Sequence, residues 1–335
     1  MRIDFPAPSS LLAAVYWILG ILGVLAVAMI LWRKRRAAKT NLEAPVERHQ
    51  WWYPGRPSRL VVMVLFTASV VVGFYPSASQ WLTSKQLHEM NKTIIHEQRS
   101  DPDRLSKLKE VVEYNSQLPA IAADSALGGD VASPNSDAYR RYEQLLVPGP
   151  YAAIGAVQIP RIAADIPIYH GTSKWALDHG AGHLFGTSLP VGGKGNRSVI
   201  TAHSGLANME LFTRLPELQD GDTFDVVVMG ERFRYRVVER LRVEPTQVEF
   251  IAPVPQRDLV TLITCVPVGV NSHRLLVTGE RIPLEVKDVP GPMPKIPGFP
   301  WWLPLMALLI ASSIWYGIKP VDMKNRHVPK RGQNS

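Results

Sequence analysis

The sequence predicts a mainly β unit carried on transmembrane α-helices. Three observations support this expectation. Charge-free apolar runs lie toward both ends of a 335-residue chain. Short β-like runs punctuated by Gly and Pro fill residues 154 to 282. No helix-length β–α alternation separates those runs, which disfavours a doubly wound parallel sheet. Many short strands of this kind fit a closed barrel or a sandwich.

Composition narrows the classes further. Hydrophobic residues make up 46% of the chain and charged residues 20%, a balance that leans toward a membrane protein. A single cysteine excludes an intramolecular disulfide and a thiolate-rich metal cluster. The net charge of +8 would suit nucleic acid, but the basic residues crowd beside apolar runs and are not interleaved with aromatics. Their placement indicates membrane topology, and no nucleic-acid partner is expected.

In chain order, residues 1–32 hold the first apolar span, Leu11 to Trp32. A helix needs roughly 20 apolar residues to cross the hydrocarbon, and this run suffices. Its basic cluster, Arg33 to Arg36, follows the run, and no small-residue cleavage pattern comes after it, so it reads as an anchor and not a signal peptide. Residues 33–59 form a loop with eight Lys and Arg against Glu43 and Glu47. A second span is expected over 60–80, and a third over 299–318 leads to a basic tail at 319–335. The positive-inside rule puts loop and tail in the cytoplasm. The expectation is a multi-pass protein of the cell membrane with residues 76 to 298 outside.

Outside, residues 81–150 are read as helices plus a loop. Leu105, Leu108, Val111 and Val112 recur at helical spacing, and Ser100-Asp101-Pro102 predicts a helix break. The Ala-, Gly- and Ser-rich stretch to Asp137 reads as a loop, and AYRRYEQLL as a short helix. Residues 151–286 carry the β runs IGAVQIP, IPIYHG, NRSVITAH, DTFDVVV, RFRYRVV, DLVTLITC and HRLLVTGERI. MGER, from Met229, predicts a hairpin turn. A Pro-rich spacer, 287–298, leads to the last span.

The chemistry centres on Cys265. A lone cysteine is more often a buried filler than a nucleophile. This one ends an apolar strand just before Pro267 and Gly269, where a rigid support opens into a loop. If the next strand returns antiparallel, Arg274 reaches the level of Cys265, where a guanidinium lowers a thiol pKa and holds an oxyanion. An arginine lying along a barrel wall is the plainer alternative. Of nine histidines, His203 ends the strand SVITA and is the candidate acid or base. His183 and His273 are its rivals, although His273 adjoins Arg274 and so points to the opposite face. Cysteine, histidine and an oxyanion donor form an acyl-transfer set, with hydrolase and transpeptidase both open.

Several ordered motifs resemble the sortases, membrane-anchored cysteine transpeptidases of Gram-positive surfaces. TLITC followed by Arg274 is similar to the family signature. IPIYHGTS, GAGHLFGTSLPVGG, VITAHSGL, LFTRLPELQDGDTF and YPSASQW are similar to class C, pilin-polymerising members. The resemblance implies an eight-stranded β-barrel with N-terminal helices and a groove holding His203, Cys265 and Arg274. It also implies an LPXTG-like sorting signal on a pilin or surface protein. Cys265 attacks its Thr–Gly carbonyl, and an acceptor amine, typically a pilin lysine, releases the thioacyl intermediate. No cofactor and no metal are implied. The alternatives are a housekeeping-type sortase that uses a cell-wall precursor, an idle pilus-assembly scaffold, and a plain cysteine protease.

Departures from the class C pattern are visible. Ala202 and Ser204 flank the histidine where Gly and Arg are common. The lid position, Gly128 to Asp137, lacks an Asp-Pro-aromatic anchor, and Asp101-Pro102 is followed by Asp103. The apparent first span exceeds the usual two-anchor plan.

Overall fold

A computed structural model describes residues 56–118, 136–146, 152–247, 249–284 and 299–318. The first apolar span, most of the basic loop, the candidate lid before Ser136, the Pro-rich spacer and the basic tail lie outside the described residues.

Helix α1, Arg56–Ser100, is 45 residues long and continuous. At about 1.5 Å per residue it measures about 67 Å, so its two halves meet different surroundings. The first half exposes Leu60, Val61, Val64 and Leu65. The second half buries His88, Asn91, Ile94 and Gln98, residues at helical spacing that form one face against the barrel. No helix end falls near residue 80, and Pro76 sits inside the helix. The break comes at the expected Ser100–Pro102 segment, where the Asp101 carboxylate accepts from the Asp103 amide at 2.8 Å. Pro102 lies in that turn, ahead of α2 (Arg104–Gln117), and is not in the first turn of the helix.

Helix α5, Trp302–Ile318, runs antiparallel to the first half of α1. Phe74 meets Trp302 near one end, and Arg59 lies over the Tyr316 ring near the other. Ser313 donates to the Met63 carbonyl at 3.1 Å and accepts from Thr67 at 3.1 Å. Small residues at this contact let the backbones approach, and a Cβ on Gly317 would lie 2.4 Å from the Met63 sulfur. Among the described residues α1 alone is long and apolar enough to cross a membrane; α5 is apolar but has 17 residues.

The β-runs close into an eight-stranded barrel in the order β1-β2-β3-β4-β7-β8-β6-β5. The strands are β1 Ala153–Ile159, β2 Ala164–His170, β3 Ala181–His183, β4 Arg197–Thr201, β5 Thr223–Val228, β6 Glu231–Val243, β7 Leu259–Val266 and β8 His273–Ile282. Closure decides between the barrel and the sandwich that the runs alone left open. Pairs β2–β3 and β4–β7 are parallel, and the others antiparallel. Ile154, Ile168, Ile200, Phe224, Tyr235, Leu262 and Val277 fill the core and are fully buried.

Two elements depart from the run-by-run reading. Strand β6 continues past Val238 to Val243, and a bulge between Val237 and Glu239 shifts its phase. Tyr235 and Val237 join the main core before the bulge, whereas Leu241 and Val243 join an outer cluster after it. The short helices are α3, Asp137–Gln144, which matches AYRRYEQLL, and α4, Lys174–His179, which lies between β2 and β3.

At the expected β5–β6 hairpin, both Met229 (φ 50°) and Gly230 (φ 74°) take the left-handed region. Gly230 is needed for a second reason: a Cβ there would lie 2.8 Å from the Arg99 Cα. The turn is thereby clamped to α1, where Gln98 accepts from the Met229 amide at 3.1 Å and donates to the Ala153 carbonyl at 3.2 Å.

Candidate active site

The site is built on the wall formed by β4, β7 and β8. In the antiparallel pair β7–β8, Cys265 stands directly opposite Arg274, and Val266 opposite His273. Directly opposed residues share a sheet face, so Cys265 and Arg274 lie on one side and His273 on the other. Strand β7 alternates, with Leu262, Thr264 and Val266 buried while Ile263 and Cys265 are only partly covered. Ile263 packs on the outer cluster of Val199, Val243, Ile251 and Leu276. The thiol of Cys265 therefore sits at the end of an apolar stripe, with partial access to solvent.

Beyond β4, the chain stays tied to β7. The Ala202 amide donates to the Ile263 carbonyl at 3.1 Å, and Thr264 Oγ1 donates to the Ala202 carbonyl at 2.9 Å. Ser204 Oγ donates to the Cys265 carbonyl at 2.6 Å. His203 lies between these anchors, and its own carbonyl accepts from the Phe212 amide at 3.1 Å. Gly205, at φ 75°, passes close to the next loop, where an added Cβ would meet the Val268 side chain at 2.5 Å. Ser204, one of the departures from the class C pattern, thus fastens the histidine segment to the cysteine strand.

The Arg274 guanidinium donates through Nη1 to the Asn271 carbonyl at 3.1 Å and the His273 carbonyl at 3.3 Å. That grip braces the loop between β7 and β8 through Nη1, one of three guanidinium nitrogens, leaving the N–H groups of Nε and Nη2 for a ligand. The same loop exposes Val268 and Val270. His203 is half-buried, and its Nε2 lies 4.0 Å from Asp178 Oδ1 on α4. Burial pushes its pKa below the ordinary histidine value; Asp178 pulls it back up and Lys174 pushes it down.

The rival histidines have other work. His183 is fully buried; its Nδ1 lies 2.8 Å from the Tyr142 hydroxyl, and its Nε2 2.9 Å from the Ser188 carbonyl. Since a carbonyl only accepts, Nε2 carries the proton and Nδ1 accepts from Tyr142. Desolvation takes its pKa down to about 3, so it stays neutral. His273 bonds to the Ser272 hydroxyl at 2.8 Å on the face away from Cys265. Of the sequence-derived candidates, the register brings Cys265 and Arg274 together, and hydrogen bonds along β7 bring the His203 backbone beside them. Asp178 was missed. The sequence marks only its helix, in which Ser173 caps α4 by accepting from the Ala176 amide at 3.2 Å and Lys174 pairs with Asp178 four residues on; neither feature points to His203. No His, Cys, Asp and Glu group able to hold a metal occurs among the described residues.

Comparison with known proteins agrees with this fold. Residues 157–282 match the sortase domain. Sortase A from Corynebacterium diphtheriae is 39% identical, with 62% of this chain and 97% of that chain covered and a TM-score of 0.52. A Streptococcus pneumoniae sortase C, whose structure was described in terms of catalysis and pilin substrate specificity, is 35% identical over 58% of this chain and 97% of that one, with a TM-score of 0.51. Sortase D of Bacillus subtilis is 28% identical over 133 residues, and the match spans 39% of this chain and 64% of that protein.

Proposed function

Because the chain belongs to the sortase family, we propose that it is a membrane-anchored cysteine transpeptidase acting on an LPXTG-like sorting signal through a thioacyl-enzyme on Cys265, with a pilin lysine as acceptor. The observation that carries this reading is the register of β7 and β8, which sets Cys265 opposite Arg274. The reaction follows from those positions. Cys265 Sγ attacks the Thr carbonyl carbon, and the electron pair moves to the oxygen, where free Arg274 N–H groups donate to it. Collapse breaks the Thr–Gly C–N bond, and His203 gives its proton to the leaving amine. The incoming lysine amine then attacks the thioester and gives one proton to neutral His203 as the C–S bond breaks, so the Cys265 thiolate and protonated His203 that began the cycle are restored. An isopeptide forms, and the proton count balances.

Partly covered Ile263, two residues before the thiol and backed by buried Val199 and Leu276, suits the leucine of such a signal, and exposed Val268 and Val270 offer further apolar surface. The likeness to a sortase C connected with pilin specificity supports the pilin arm. For the anchor, the first half of α1 and α5 expose an apolar surface that water would penalise and a bilayer would accept. The basic stretches at 33–59 and 319–335 support a cytoplasmic side for those segments and an outside position for the barrel.

The experiment incubates the full chain in lipid vesicles with two substrates, a pilin carrying an LPXTG-type tail and a lipid-linked cell-wall precursor. Isopeptide-linked pilin ladders support the reading. Monomers joined to the precursor alone replace it with the housekeeping role, and free hydrolysed threonine ends replace it with a protease.

A further inference from the structure

We propose that Asp178 is the positioning carboxylate of His203, held in place by Lys174; the inference rests on the reading of His203 as the acid–base residue. The two oxygens of Asp178 are divided between two partners. Oδ2 bonds to Lys174 Nζ at 2.5 Å, and Oδ1 faces His203 Nε2 at 4.0 Å. That gap is about one ångström beyond a hydrogen bond. A small rotation or one bridging water closes it, and apo sites commonly show such contacts long before substrate tightens them. With Nε2 taken by the carboxylate, Nδ1 is the ring nitrogen left to serve the reacting atoms.

Placement supports the assignment. Helix α4 sits directly before β3, and β3 pairs with β4, the strand that leads into His203. The Asp178 and His203 side chains are 30% and 36% exposed, so their attraction is screened but not abolished. Around His203, α4 supplies Lys174, Asp178 and His179, the last stacked on Trp175, and β3 supplies His183, engaged by Tyr142 and the Ser188 carbonyl. Cys265 comes from β7, Arg274 from β8, and Glu210 from the following loop. Glu210 is engaged by Arg214 at 3.8 Å. Lys174 and Asp178 act on the same ring in opposite senses, so one turn of helix sets how readily His203 takes a proton.

A plainer account treats Lys174 and Asp178 as an ordinary surface pair four residues apart on a helix. The test separates the two. In the full chain in detergent micelles, with ring-labelled histidine, the His203 imidazole is titrated by NMR in the wild type and in three variants. Asp178→Asn is expected to move the His203 midpoint to lower pH, Lys174→Met to higher pH, and Asp178→Glu to return it toward the wild-type value. Asp178→Asn also lowers kcat/KM for peptide acylation by about tenfold, below the 10²- to 10⁴-fold that proton transfer itself contributes. A His203 midpoint unmoved in both Asp178→Asn and Lys174→Met overturns the proposal. Should Asp178→Asn fail to fold, the Lys174→Met shift alone decides. Because the titration needs no turnover, it stands apart from the functional reading, which fails if Cys265→Ala retains transpeptidation.

Discussion

His183 ends β3 and His203 lies two residues past the end of the neighbouring β4, yet their surroundings differ in every respect that chemistry needs. His183 is fully buried, both ring nitrogens are engaged, and Tyr142 ties it to the Gly171 amide at 3.0 Å as well. Nearby His170 stacks edge-on against Tyr142 at 4.7 Å and is driven by burial to a pKa of about 4. His203 is half-buried, its backbone is fixed to the cysteine strand, and the carboxylate facing its ring stands 4.0 Å off. The first cluster packs under α3; the second leaves an imidazole with hydrogen-bonding capacity to spare, on a segment tied to the cysteine strand. A histidine becomes useful where the fold holds its backbone and spares its ring.

That contrast can be broken at either end. The largest effect is expected at His203: its replacement by Ala lowers kcat/KM by about 10²- to 10⁴-fold with the fold intact. Single-turnover acylation of an LPXTG peptide, followed with circular dichroism on the same sample, checks it. Loss of structure in step with activity would mean that His203 is as structural as His183.

Next comes Arg274. Replacing it by Ala is expected to cost about 10²- to 10³-fold in kcat, the usual size for one oxyanion donor. It also frees the Asn271 and His273 carbonyls. Arg274→Lys keeps a charge but not the fork, and an activity near that of the Ala variant shows that the fork is what matters.

The buried cluster answers to pH. An unfolded histidine titrates near 6.5, whereas His170 and His183 are held neutral to about 4 and about 3. Between those values the unfolded chain binds more protons, so stability is complete above about pH 6.5 and is lost as the pH falls. Each of the two is expected to remove roughly 2 kcal/mol by pH 5. Thermal unfolding from pH 7.5 to 4.5 measures the slope, and His170→Gln should flatten it. An equal slope in that variant would place the acid sensitivity elsewhere.

The smallest effect is expected at Ser204. Losing its hydroxyl in Ser204→Ala removes one bond to the Cys265 carbonyl, worth about 0.5–1.5 kcal/mol. Acylation should fall several-fold, and a thermal scan should show little change.

Much of the barrel was legible in the sequence because short alternating runs bounded by Gly and Pro report strands directly. The run from His273 matched β8 from end to end. The register of Cys265 and Arg274 followed from antiparallel pairing alone. Three features were not legible, each for a physical reason. The docking face of α1 is polar, with His88 and Asn91 both bonded to the buried carboxylate of Asp165 at 2.7 and 2.9 Å, so no apolar stripe marked it. The bulge at Val238 reverses phase without a Gly to signal it. Strand β3 spans three residues, too few for a period to emerge. At the site, Asp178 faces His203 only because β3 pairs with β4, a relation that no spacing within α4 contains.

The central claim is that Cys265 is the nucleophile, and one measurement tests it most directly. The full chain in micelles is mixed with an LPXTG peptide in the absence of any acceptor amine, quenched in acid, and weighed intact. The account predicts a mass increase equal to the peptide up to its threonine, reversed by hydroxylamine, mapped to Cys265 and absent from Cys265→Ala. The same adduct on the Cys265→Ala protein, or transpeptidation by that protein at the wild-type rate, would contradict it.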